Sequence, residues 1–239
     1  MKIDVLAFGA HPDDVELGCG ATLAKLISNG KSVGIIDLTK GELGTNGTVE
    51  TRMKEASNAA SILGVKFRKN LSFKDAFFEN NHTNQIKVIE LLRLYQPDIV
   101  ICNADDDRHI DHPKAARLVS HSCFLSGLKK IQTSVEPETL QSVWRPKLVY
   151  HYIQWKDIKP DVIVDVSGFL DKKMEAVKAF SSQFYSPDGS RDLTPISSQN
   201  FLNNIRHRAL NFGRLIGVDE AEGFTCERYP AVDNITDLI

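Results

Sequence analysis

The 239-residue chain has no apolar run approaching the roughly 18 residues a membrane span requires. Its start, Met1-Lys2-Ile3-Asp4-Val5, enters a strand pattern without the apolar region of a signal peptide. Neither membrane insertion nor secretion is expected. An excess of one charge is also missing: 29 basic and 31 acidic residues give a formal net charge of -2, so no global field draws in nucleic acid or an anionic membrane. A small-molecule partner is expected instead. Cysteine is scarce, and Cys19, Cys102, Cys123 and Cys226 lie far apart with no CxxC pair. That excludes a disulfide framework and suits a reducing cytoplasm. The phosphate loop Gly-x-x-x-x-Gly-Lys-Ser/Thr and the nucleophile turn Gly-x-Ser-x-Gly are both absent. The first turn, Gly9-Ala10-His11-Pro12-Asp13-Asp14, sets carboxylates where a dinucleotide's pyrophosphate would sit, which disfavours that cofactor.

The chain does have regular alternation. Apolar, β-rich runs at Asp4 to Phe8, Ser32 to Leu38, Lys66 to Leu71, Ile99 to Asn103, Lys147 to Tyr152 and Val162 to Val166 read as strands, several of them buried on both faces. Helical patterns lie between them at Val15 to Ser28, Thr51 to Leu63, Thr83 to Tyr95 and Pro113 to Leu125, with two more at Leu170 to Phe184 and Ser198 to Ile216. Asn29-Gly30, Gly64 and Pro97 supply stop signals. The β-α-β-α order implies an α/β fold, a Rossmann-like three-layer sandwich around a mainly parallel sheet. No long Ser/Gly/Pro linker interrupts it, so residues 1–239 are expected to form a single domain. The loops Thr39 to Glu50, Asp105 to His112 and Tyr185 to Ser197 are expected to line a site.

Two acidic-histidine clusters carry the chemistry: Ala10-His11-Pro12-Asp13-Asp14-Val15-Glu16 and Arg108-His109-Ile110-Asp111-His112-Pro113. Each follows a strand and runs into a helix, which puts both at the carboxyl edge of an α/β sheet, where ligands bind. A hydrolytic zinc takes about three His/Asp/Glu ligands and keeps one position open. His11, Asp14 and His112 supply that set, and Asp13 is left over to take a proton from a water held by the ion. His109, on the other side of the reaction, could stabilise an oxyanion or protonate the departing amine, and Asp111 could orient either histidine. Taken alone, each cluster is an ordinary polar turn, its acids complementing a helix N-terminus. A metal- or sugar-binding module without catalysis would have no need for Asp13 or His109. Of the remaining histidines, His82, His121 and His207 fall in helical stretches, while His151, at a strand end, could face the site.

These clusters, with Gly47-Thr48-Val49-Glu50-Thr51-Arg52, Ser182-Gln183-Phe184 and Ala221-Glu222-Gly223-Phe224, resemble the zinc-dependent N-deacetylases of the LmbE/PIG-L family over nearly the whole chain. The resemblance looks closest to the bacillithiol-biosynthesis branch, which removes acetate from N-acetylglucosaminyl-malate. It implies His11, Asp14 and His112 as zinc ligands, although the same donors accept iron, cobalt or manganese. Asp13 is implied as the base, with His109 and Asp111 as the supporting pair and Arg52 near the substrate. The implied partner is a small-molecule N-acetylglucosaminide, with no nucleic acid and no membrane, and the family's hexamers imply a homo-oligomer. Other N-acetyl sugars, such as a chitin fragment or a nucleotide- or lipid-linked glucosamine, are the alternative substrates. Where some relatives have a tyrosine thought to help the oxyanion, this chain has Phe201 in Gln199-Asn200-Phe201-Leu202, and Tyr185 is another hydroxyl in the late loop.

Overall fold

The computed structural model describes residues 1–136, 139–185 and 192–238. In chain order the elements are β1 (Val5–Gly9), α1 (Asp14–Ser28), β2 (Val33–Thr39), α2 (Val49–Leu63), β3 (Phe67–Phe73), α3 (His82–Tyr95), β4 (Ile99–Cys102) and α4 (Asp111–Leu125). There follow a short hairpin, β5 (Ser134–Glu136) and β6 (Thr139–Leu140), then β7 (Leu148–Tyr152), β8 (Val162–Asp165), α5 (Leu170–Lys178), α6 (Gln199–Ile216) and β9 (Ala221–Cys226). Seven strands form one sheet in the order β3-β2-β1-β4-β7-β9-β8, in which β9 alone runs opposite to the other six.

Side-chain alternation explains the layers. Along β1 and β2, Val5, Ala7, Val33 and Ile35 pack into one apolar cluster with α1, α2 and α5, while Leu6, Phe8, Ile36 and Leu38 pack into another with α3 and α4. Both faces are therefore covered, as a parallel sheet requires. The chain winds outward from β1 through β2 to β3, then returns to place β4 on the other side of β1. That reversal opens a crevice at the carboxyl ends of β1 and β4, where both sequence clusters emerge.

Local chemistry sets the boundaries. Thr48, Asn81 and Ser198 cap α2, α3 and α6 by accepting backbone N–H bonds, and Gly64 and Gly217 end α2 and α6 in the left-handed conformation. Helix α5 stops at Lys178 rather than at the expected Phe184, because the buried Glu55 carboxylate takes the Ser182 N–H together with the Ser181 and Ser182 hydroxyls. The sequence reading missed β9, which becomes a strand only between β7 and β8. Gly18 of α1 allows a close approach: a Cβ there would stand 2.1 Å from the Tyr152 ring. No helix among the described residues is long and apolar enough to cross a membrane.

Candidate metal centre

The β1–α1 turn bends sharply. Asp13 holds φ at 120°, unusual for a residue with a side chain and costing roughly 1–3 kcal/mol, and the turn points His11, Asp13 and Asp14 into one cavity. From the other side of the crevice, the loop after β4 brings His109, and the first turn of α4 brings His112, into the same cavity of about 420 Å³. Parts of all three expected loops line it: Leu43 to Thr45, Arg108 to Ile110, and Thr194 to Ile196. Residues 186–191 of the third loop lie outside the described residues.

His11 Nδ1 stands 3.4 Å from Asp14 Oδ2, and His112 Nε2 stands 3.1 Å from Asp14 Oδ1. Asp14 thus lies between the two histidines, one against each of its oxygens, at separations close to the roughly 3.3–3.6 Å of donors that share one ion at about 2.0–2.2 Å. The opposite ring nitrogens are tied to carboxylates. His11 Nε2 faces Asp75 Oδ1 at 3.1 Å and Asp111 Oδ2 at 3.4 Å, and His112 Nδ1 meets Asp107 Oδ2 at 2.7 Å. A metal-binding imidazole is oriented in this way by a carboxylate on its other nitrogen. Two groups of donor atoms among the described residues lie within 4.8 Å of one another, those of His11, His109 and His112 and those of His11, Asp75 and Asp111, and Asp14 belongs to neither. In the second grouping both carboxylates sit on the ring nitrogen facing away from Asp14, a position that orients His11.

Electrostatics supports a positive centre. Burial alone would lower His11 and His112, yet Asp111, Asp14 and Asp75 hold His11 well above its ordinary value, and Asp14 and Asp107 hold His112 at about 9. Burial would raise Asp14, but the two histidines keep it well below the carboxylate range. Asp111 is likewise held low against burial by His11 and Lys114. His109 differs: burial, reinforced by His11 and His112, lowers it to about 4. Its Nδ1 accepts the Asp111 N–H at 3.3 Å, so the neutral ring carries its proton on Nε2.

Asp13 contacts neither histidine through a hydrogen bond or ion pair. Burial lifts its carboxyl to about 7, against the pull of Arg52, whose Nη2 lies 2.8 Å away. Arg52 is itself buried and also donates to Pro12 O and Gln183 Oε1, so it braces the turn while lining the cavity. Gly41 (φ 64°) leaves room for that guanidinium, since a Cβ there would come within 2.6 Å of Nη1.

His151 does not line the cavity. Its Nδ1 bonds Asn103 O at 2.7 Å and its Nε2 meets Glu227 at 3.2 Å, because cross-strand pairing of Cys102 with His151 turns the ring toward β4. His82, His121 and His207 are exposed. Phe201 lines the cavity, stacked 5.7 Å from Trp155 and 6.0 Å from Phe184, and Tyr185 lies outside the lining. Sequence reasoning missed Asp75, Asn103, Asp107 and Gln154. The available signal for Asp75 and Asn103 was position, each standing just past the carboxyl end of a strand. Asp107 was one of three successive aspartates with nothing to single it out.

Comparisons with known proteins identify the family. Residues 6–123 match the family model described as PIG-L: GlcNAc-PI de-N-acetylase. The diacetylchitobiose deacetylase of Thermococcus kodakarensis is 30% identical over 234 residues, covering 92% of this chain and 81% of that protein. A conserved protein from Thermus thermophilus superposes with a TM-score of 0.84 at 35% identity, covering 98% of both chains. The N,N'-diacetylchitobiose deacetylase from Pyrococcus horikoshii superposes at 0.80 with 26% identity, covering 99% of this chain and 88% of that one. The cavity at the β1–β4 crevice, its histidines and aspartates, and these similarities together place the chain in the PIG-L/LmbE family of deacetylases.

Proposed function

We propose that the chain hydrolyses the N-acetyl group of a glucosamine derivative, with a divalent metal held by His11 Nδ1, Asp14 and His112 Nε2. The observation that carries this reading is Asp13: a carboxylate buried beside the donor set, facing the cavity and used by neither histidine. Zinc, or another divalent ion such as Fe2+, would supply Lewis-acid polarisation of the acetyl carbonyl and acidify the attacking water. Asp13 takes the proton of that water. Its pKa near 7 suits a group that must accept a proton at neutral pH and return it to the leaving amine. His109 donates its Nε2 proton in a hydrogen bond to the oxyanion of the tetrahedral intermediate. Asp75 and Asp111 hold His11, and Asp107 holds His112. Cleavage of the C–N bond then gives acetate and the free amine.

The finer reading is N-acetylglucosaminyl-malate as substrate, converted to glucosaminyl-malate in bacillithiol biosynthesis. Arg108 supports it: an exposed guanidinium at the cavity, stacked 4.4 Å over Trp155 and without an ion pair among the described residues, suited to a malate carboxylate. A second reading, an N-acetylated chitobiose, is supported by the Thermococcus relative and by the neutral wall of Trp155 and Phe201. Measuring kcat/KM for N-acetylglucosaminyl-malate and for N,N'-diacetylchitobiose separates the two. A preference for the malate substrate of about tenfold, lost in Arg108→Ala, is expected from one carboxylate contact worth roughly 1.4 kcal/mol. Equal or reversed preference would favour the chitobiose reading, and release of amine from neither would reject both.

A further inference from the structure

We infer that Asn103 and Gln154 are positioning residues for the metal: two carboxamide donors, one on each oxygen of Asp14, that hold its carboxylate toward the ion. The inference rests on the proposed reading of Asp14 as a ligand. Asn103 Nδ2 donates to Asp14 Oδ2 at 3.1 Å, and Gln154 Nε2 donates to Asp14 Oδ1 at 2.9 Å. A carboxylate has about four acceptor positions, two on each oxygen. Oδ2 also accepts the His11 N–H at 2.9 Å, so both of its positions are filled, while Gln154 leaves one position free on Oδ1, the oxygen that faces His112 Nε2.

Both amides are oriented by their surroundings. Asn103 is fully buried just past the end of β4, and its Oδ1 accepts the Ala10 N–H at 2.8 Å, so the side chain joins the β1 turn to β4. Its carbonyl is held in turn by His151, whose other nitrogen meets Glu227. A buried histidine with no place in the reaction thus supports the residue behind a metal ligand. Gln154 makes a different sacrifice. Its Oε1 is buried with no hydrogen-bond partner among the described residues, while its Nε2 is spent on Asp14. A buried acceptor left unpaired costs roughly 1–3 kcal/mol, so this orientation is one that general stability would not select. The carboxylate accepts only, which rules out the flipped amide.

The test is metal affinity, measured on apo protein by competition with a chromophoric chelator for Zn2+, together with the visible spectrum of the Co2+ form. Gln154→Met keeps the side chain's size and removes the donor; Asn103→Ala removes its donor and also the Ala10 contact. Each is expected to weaken Zn2+ binding roughly tenfold to a hundredfold, the usual effect of losing a group that orients a ligand, and to shift the Co2+ bands. For Gln154→Met, the apo melting temperature should stay near wild type, which separates positioning from loss of fold. Wild-type affinity and an unchanged Co2+ spectrum in Gln154→Met would overturn the inference for Gln154, and the same result in Asn103→Ala would overturn it for Asn103. Asp14→Asn is the control. If it retains wild-type affinity, the reading of Asp14 as a ligand fails first and this inference falls with it.

Discussion

Replacing Arg52 by Met tests what that buried guanidinium does. Arg52 gives two hydrogen bonds to Pro12 O, one to Gln183 and a 2.8 Å ion pair to Asp13. Asp13 sits near pH 7 even with that positive charge beside it. Losing an adjacent opposite charge raises a carboxyl by roughly 1–3 units. At a value of about 9, only about one Asp13 in a hundred is ionised at pH 7, against about half in the wild type. If Asp13 is the base, as proposed, it works as a carboxylate and activity rises with pH through its pKa, so the rising limb of the variant must move to higher pH. The account predicts kcat/KM lower by roughly fiftyfold at pH 7, recovering toward pH 10. The assay is kcat/KM for an N-acetylglucosaminide from pH 5.5 to 10, with metal content checked at each end. A limb unmoved from wild type, with only KM raised, would refute this reasoning and make Arg52 a substrate contact alone.

The same burial gives Asp13→Asn a stability signature. A carboxyl raised from 3.8 to about 7 disfavours the folded state once it ionises, by about 4 kcal/mol at most. The metal-free variant should therefore melt above wild type at pH 8, with the difference closing as pH falls toward 4; equal melting at pH 8 would count against it. Gly18→Ala drives a methyl into the buried Tyr152 ring and should cost about 3 kcal/mol or more in urea unfolding, whereas a neutral result would mean that α1 can shift away. Glu55→Ala leaves the Ser182 N–H and two hydroxyls without their acceptor and should cost about 1–3 kcal/mol, with a lower kcat because Gln183 no longer steadies Arg52. Stability lost without any change in kcat would confine Glu55 to the fold.

Most strands were legible because β1 and β2 are apolar on both faces, and the helices because stop signals such as Asn29-Gly30, Gly64 and Pro97 mark their ends. Strand β9 was not: Ala221-Glu222-Gly223-Phe224 has neither alternation nor an apolar run, and Glu222 is buried only because Lys173 and the N–H groups of Ala21 and Thr22 meet it. The site divides in the same way. His11, Asp13, Asp14, His109 and His112 stand in two compact motifs whose spacing already suggests convergence. Asp75 reaches His11 only because the segment after β3 folds back over the crevice, and Gln154 reaches Asp14 only because β7 lies beside β4. Neither placement has a local sequence signature. Arg52 was singled out only through the family resemblance, and its bond to Asp13 depends on how α2 packs against the β1 turn.

Amine release from an N-acetylglucosaminide, measured on protein of known metal content, tests the central claim most directly. The assay is run on the protein as purified, after complete chelation, and after one equivalent of divalent metal is restored. The account predicts that release follows metal content, disappears on chelation and returns on restoration, and that Asp13→Ala protein with full metal occupancy stays at least a hundredfold slower, within the usual range of roughly 10²–10⁴ for general-base catalysis. Release at the wild-type rate from metal-free protein would contradict it.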